Sequence, residues 1–270
     1  MKKLWFIASI LPMFGCNHFD AAIETRTPHS QPEQTIKENQ RIQRQFTIDD
    51  LQDQVIQIKK QENETEEVVL PAKESAMLDV VLIKQNPELR YGCEVTSLAM
   101  MLQYAGVNTN KMELYRLIKK DPDPLVRANG DIIRWGNPQD GFVGDMTGRT
   151  AGYAAFDRPM IELINLKLPG RAVNLTNQPF NQLLQHVSSG YPVVVWTTGD
   201  YRLPDRWEGW NHGREYIKTP LDLHVVVLVG YDANHVYLND PLSGRKQVKV
   251  NKNQFITVWK AMQSRAVSYR

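Results

Sequence analysis

A cysteine that follows a glycine and opens an apolar helix is placed for nucleophilic chemistry. Cys93 holds that position in the run Gly92-Cys93-Glu94-Val-Thr-Ser-Leu-Ala-Met-Met-Leu-Gln-Tyr104. The first turn of a helix leaves backbone N–H groups unpaired, and its macrodipole favours a thiolate over a thiol. A lone cysteine is more commonly a small buried hydrophobe, so its neighbours decide the matter. Gln85 precedes it on a short connection, from which a side-chain amide and the Cys93 N–H could together donate to a developing oxyanion. His224 lies near the start of a very apolar segment, where an imidazole is costly to bury without a partner. Asp240 ends the next predicted strand in Tyr237-Leu-Asn-Asp-Pro241, and a hairpin would bring its carboxyl beside the imidazole. Cysteine, histidine and aspartate then take the roles of nucleophile, base and orienter. If the strand register differs by one, Asn239 replaces Asp240 as orienter.

These residues need elements to hold them. Leu78-Asp-Val-Val-Leu-Ile83 reads as a strand ahead of Gln85. The helix that Cys93 opens ends at Gly106, with Leu98, Met101 and Leu102 on one face. A second helix is expected over 110–119, then a long surface loop rich in Gly, Pro and Asp over 121–153. Helical patterns over 160–166 and 180–189 flank a strand at 172–175. The last third reads as strands at 192–197, 223–229, 235–239 and 247–250, with a polar loop over 200–216. Helices first and strands later, with hairpin connections, predict an α+β fold with an antiparallel sheet.

Together the quoted runs, with Gly141-Phe-Val-Gly-Asp145 and Gly190-Tyr-Pro-Val-Val-Val-Trp196, carry a resemblance over about residues 78–270. The chain resembles the papain-like cysteine peptidases that process double-glycine leaders of bacteriocins, the peptidase family numbered thirty-nine. Within that family it resembles more closely the stand-alone, "-like" branch. The resemblance implies Cys93 as nucleophile, His224 as base, Asp240 as orienter and Gln85 as oxyanion donor, with no cofactor. It implies a papain-like fold in which N-terminal helices pack on an antiparallel sheet. No Gly-rich phosphate loop accompanies these motifs, so a leader-peptidase job coupled to an export pump does not carry over. A thiol hydrolase of peptide bonds is the expectation. An amidase or acyl transferase acting on cell-wall peptides would use the same four residues. A binding module that kept the fold and lost turnover is the rival of a different class, and the complete set argues against it.

The N-terminal part has a different character. Met1 to Cys16 offers Lys2 and Lys3, an apolar run from Leu4 to Leu11, and Gly15 before Cys16, the order of an export signal. That run is shorter than the roughly 20 residues of a spanning helix. A small residue before a cysteine resembles the bacterial lipoprotein signal, which implies a lipid on Cys16 and an exported protein held at the membrane. Phe14, Met13 and Pro12 depart from that pattern, and the alternative is a plain secretory signal. Residues 17–77 are polar and read as a stalk, with helical spacing over 42–61. The peptidase-like domain is expected over 78–270.

Bulk properties exclude more than they assign. The 270 residues carry 32 basic and 30 acidic side chains, a formal net charge of +2, so nothing global steers the chain to nucleic acid. Two cysteines do not make a disulfide scaffold. His212, His224 and His235 lack the close pairing of a zinc motif, and Asp121, Asp123, Asp131, Asp140 and Asp145 read as turn residues, so no metal is expected. Trp196, Tyr201, Trp207 and Trp210 lie on or beside the 200–216 loop, where aromatic side chains either line a substrate groove or pack on themselves.

Overall fold

The computed structural model describes residues 73–270. The export signal, the Cys16 lipid site, the helical stretch at 42–61 and most of the polar stalk lie outside the described residues.

The elements are arranged along the chain in this order. Strand β1 (Ala76–Met77) precedes helices α1 (Cys93–Tyr104) and α2 (Lys111–Leu117). Short strands β2 (Lys120–Asp121), β3 (Val126–Ala128), β4 (Asp131–Arg134) and β5 (Phe142–Val143) come next. Helix α3 (Asp157–Lys167), β6 (Ala172–Asn174), α4 (Phe180–Ser188) and β7 (Val193–Thr198) lead to the hairpin β8 (Trp207–His212) and β9 (Glu215–Pro220). The chain closes with β10 (Leu223–Tyr231), β11 (His235–Asp240), β12 (Arg245–Asn251), α5 (Lys252–Ala261) and β13 (Ala266–Tyr269).

The main sheet runs β12-β11-β10-β7-β13-β6, with β1 added to the end of β10, and every pairing in it is antiparallel. The α+β expectation with an antiparallel sheet therefore holds. Its central strands β7 and β10 carry the continuous apolar runs Val193–Trp196 and Val225–Val229 because both faces are covered. Val225, Val227 and Val229 join Val194 and Trp196 in a core with α1 and α3. Val226 and Leu228 join Val193 and Val195 in a second core with Phe180 and Leu183 of α4 and Phe255 and Trp259 of α5. A strand whose successive side chains point to opposite faces loses its polar alternation when both faces are buried. Helix α1 shows the same effect in helical form, since every residue from Cys93 to Leu102 is buried. Each of its large apolar side chains contributes about 1.5–3 kcal/mol by leaving water.

Several expectations change. Residues 78–83 do not form a strand; only Ala76–Met77 pairs with β10, opposite Tyr231 and Gly230. Beyond Met77 the chain runs as an extended strap whose carbonyl groups find side chains, as when Asn239 Nδ2 donates to Val80 O at 2.9 Å. Strand β1 belongs to the sheet although its residues fall within the expected stalk. The long surface loop over 121–153 and the polar loop over 200–216 are instead the two halves of a second sheet, ordered β3-β4-β8-β9. Its small core is Ile132, Trp135, Val143 and Trp210. Helix α5 and strand β13 at the C-terminal end have no counterpart among the sequence expectations; β13 inserts between β7 and β6, a non-local pairing that local pattern does not announce.

Candidate active site

The site is assembled from three places in the chain. Cys93 is the first residue of α1, and Gly92 before it is required by packing: a Cβ there would meet Leu89 Cβ at 2.5 Å. No side chain caps this helix, which leaves the first-turn N–H groups free beside the sulfur. The helix is tied to the sheet where Ser97 Oγ donates to Val225 O at 3.0 Å, one residue beyond His224.

His224 and Asp240 form the tightest part. His224 Nε2 and Asp240 Oδ1 lie 2.8 Å apart, and both side chains are buried. Register explains the meeting. Val227 pairs with Asn239, so Asp240 stands diagonal to His224 on neighbouring strands, within reach of long side chains. The same register puts Asp240, and not Asn239, beside His224. Asn239 faces away, donating to Val80 O and accepting from Gln247 N at 3.0 Å. Asp240 also accepts from Tyr201 Oη at 3.1 Å, Ser243 Oγ at 2.6 Å and the N–H groups of Leu242 and Ser243. Burial opposes its charge, yet the hydrogen bond and charge of His224 and the donors from Ser243 and Leu242 hold its carboxyl well below the usual carboxylate range. With Nε2 engaged by the carboxylate, Nδ1 is the imidazole nitrogen left to exchange a proton.

Gln85 is fixed at both ends. Its backbone N–H donates to Pro241 O at 3.0 Å, and its side-chain Nε2 donates to Arg90 O at 2.8 Å. An amide NH2 has two hydrogens, so the bond to Arg90 orients the second without consuming it. Gln85, Cys93 and His224 all line one cleft of about 970 Å³, whose walls include Tyr91, Trp135, Gly152, Tyr153, Gly199 and Leu223. The structure thus brings Gln85, Cys93 and His224 to a common space, with Asp240 behind the imidazole.

One expectation fails in this arrangement. The helix start should favour a thiolate, but burial and then the charge of Glu94 push the Cys93 thiol well above its ordinary value. The thiol donates to Glu94 Oε2 at 3.4 Å, not to His224. Glu94 has no solvent exposure, and burial raises its carboxyl to about 7. Glu94 is not among the residues that sequence reasoning selects, although an acidic residue second in an otherwise uncharged helix is the available signal.

The groove aromatics are also redistributed. Trp196 is core, with its Nε1 donating to Ala155 O at 3.0 Å, and Tyr201 supports Asp240. Trp210 packs against Trp135 and Tyr153 at ring-centroid separations of 5.7 and 5.4 Å, while Trp207 is exposed. It is Trp135 and Tyr153, from the stretch expected to be a surface loop, that face the cleft. The turn reading of Asp121 and Asp123 also omits a partner: His212 Nε2 lies 3.3 Å from Asp121 Oδ2 and 3.7 Å from Asp123 Oδ2. Asp121 is already occupied by the N–H groups of Asp123 and Asn137, so this knot ties His212 of β8 in the second sheet to Asp121 of β2, which pairs with β5 outside that sheet.

Comparison with known proteins places this geometry among relatives. Residues 77–267 match the Peptidase_C39 like family. The uncharacterized protein YvpB of Bacillus subtilis (strain 168) is 37% identical over 192 residues, covering 70% of this chain and 74% of that protein. A crystal structure from Bacillus anthracis, assigned to the C39-like peptidases, superposes with a TM-score of 0.67 at 40% identity, covering 73% of this chain and 98% of that one.

Proposed function

We propose, for a chain that belongs to the Peptidase_C39-like family and carries the papain-like cysteine peptidase fold, that it hydrolyses peptide bonds by thiol catalysis at Cys93. The observation that carries this reading is the buried His224–Asp240 pair at 2.8 Å opening onto the same cleft as Cys93. Asp240 fixes the ring orientation and the tautomer, leaving Nδ1 to accept the thiol proton as the sulfur attacks the substrate carbonyl. The carbonyl oxygen takes up the electron pair and is met by the free hydrogen of Gln85 Nε2 and the Cys93 N–H. The imidazolium then returns its proton to the leaving amine, and water resolves the thioester through the same base.

The proposal extends to an exported enzyme tethered through a lipid on Cys16, which rests on the order of Lys2, Lys3, the apolar run and Gly15 before that cysteine. Its substrate is a peptide or protein, with cell-wall peptides included.

The test is turnover of a fluorogenic peptide library by the full chain. Activity that disappears in Cys93→Ala and in His224→Ala, with both variants folded, supports the reading. Activity that survives either substitution sinks it.

A further inference from the structure

Glu94 is held where an anion has little to gain. One oxygen, Oε1, accepts from the N–H of Ala155 at 2.8 Å, and Ala155 is itself anchored through its carbonyl to Trp196 Nε1. The other oxygen faces the Cys93 sulfur at 3.4 Å. The carboxyl therefore cannot swing away from the thiol without breaking the contact between α1 and the segment that carries Tyr153 into the cleft. No ion pair offsets it among the described residues. From its own helix, Cys93 faces it; from the segment after β5, the buried phenol of Tyr153 is near enough for the two charges to oppose each other. Strand β7 contributes Trp196, and β10 contributes His224 to the same cleft. Arg265, whose charge also reaches Tyr153, is engaged with Asp157 at 3.7 Å.

We propose that Glu94 is a proton-linked positioning residue that sets the state of the nucleophile. Ionised, the carboxylate accepts the S–H and competes with His224 for that proton, holding Cys93 as a thiol. Protonated, the carboxylic acid becomes a donor toward sulfur, and the pair of thiolate and imidazolium is favoured by the same contact reversed. No net proton is needed for the step between thiol with neutral imidazole and thiolate with imidazolium; Glu94 shifts its balance. The inference rests on reading Cys93 and His224 as the catalytic pair. Because burial brings the Glu94 proton to about 7, the exchange falls in the neutral range, and the acid side is the active one.

The experiment is iodoacetamide alkylation of the full chain across roughly pH 5 to 9, a range that spans the shifted and the ordinary thiol, with Cys93 read by peptide mass. Wild type is compared with Glu94→Gln, which keeps an oxygen for Ala155 N–H and replaces the ionisable atom with a donor. Rates that coincide near pH 5 and diverge about ten-fold near pH 8, the variant being faster, are the expected result, since one unit above the Glu94 value leaves about a tenth of the carboxyl protonated. A ratio that stays constant with pH makes Glu94 merely structural and overturns the inference. His224→Ala in the same series reports separately on the catalytic pair: an unchanged profile there defeats the functional reading, while a changed profile there beside a constant ratio at Glu94 defeats the inference alone. If Glu94→Gln does not fold, infrared difference spectra of the wild type decide. A protonated buried carboxyl that titrates near neutrality, and whose band shifts on alkylation of Cys93, is expected; a carboxylate already ionised near pH 5 refutes the proposal.

Discussion

Two buried carboxyl groups flank the cleft and meet opposite fates. Asp240 is surrounded by His224, Tyr201, Ser243 and two backbone N–H groups, so its negative charge is matched from all sides. Glu94 has one backbone N–H and a thiol, with no cation to answer it among the described residues. Burial alone does not set the protonation of an acid; the count and charge of its donors decide whether the low dielectric strengthens the anion or expels it. The base side of the cleft is thereby rigid and charged, and the nucleophile side is poised between two protonation states.

The largest effect belongs to the atom that both sides serve. Cys93→Ala is expected to reduce peptide turnover to background while circular dichroism and thermal unfolding remain those of a folded domain. Next comes Asp240→Ala, which strips the imidazole, a phenol and a hydroxyl of their common acceptor. Loss of one partner from a buried pair costs about 3–5 kcal/mol, read by denaturant unfolding, and turnover should fall with it.

The two acids also predict opposite pH dependences. The folded carboxyl of Asp240 lies below its unfolded value, so its stabilisation is present above about pH 4 and is lost as pH falls further, through the folded value. Glu94 is raised to about 7, so the fold binds its proton more tightly than the unfolded chain does. Its contribution is full below the unfolded value near 4.3 and is lost as pH rises through about 7, a difference on the order of 4 kcal/mol. Glu94→Gln should therefore stabilise the protein at pH ~8 and change little at pH ~5 when melting curves are compared, an outcome the Asp240 environment could never give. A gain at both pH values would mean that packing, not charge, separates the two sites.

The smallest effect on the fold tests the cleft itself. Gly199 lines it, and a Cβ there would meet nothing within 4 Å. Gly199→Leu should leave stability within about 0.5 kcal/mol while raising KM more than it lowers kcat. An unchanged KM would remove Gly199 from the substrate path.

One side of this comparison is far more legible in the sequence than the other. His224 and Asp240 announce themselves because polar residues interrupting apolar strands demand partners, and strand periodicity is simple enough to bring them together. Cys93 at the head of an apolar helix is equally plain. The polarity of the thiol's surroundings is not, because the helix dipole is a property of local sequence while burial of Glu94 depends on Ala155, sixty-one residues away. The second sheet escapes for a similar reason. Its β4 and β8 meet in parallel at a single register pair, Arg134 with Asn211, and neither segment alone has the apolar content of a strand. Turn-rich composition marks both segments as irregular; pairing between distant excursions makes them a wall.

That divided wall has a consequence for the order of events in synthesis. Cys93 leaves the ribosome well before β8, β10 and Asp240 exist, so the nascent chain carries a thiol with neither His224 nor Asp240 and half a cleft. On the proposed mechanism chemistry waits on the final quarter of the polypeptide, where β10 and β11 supply His224 and Asp240. The fold delays completion of its cleft simply by where along the chain it keeps its parts.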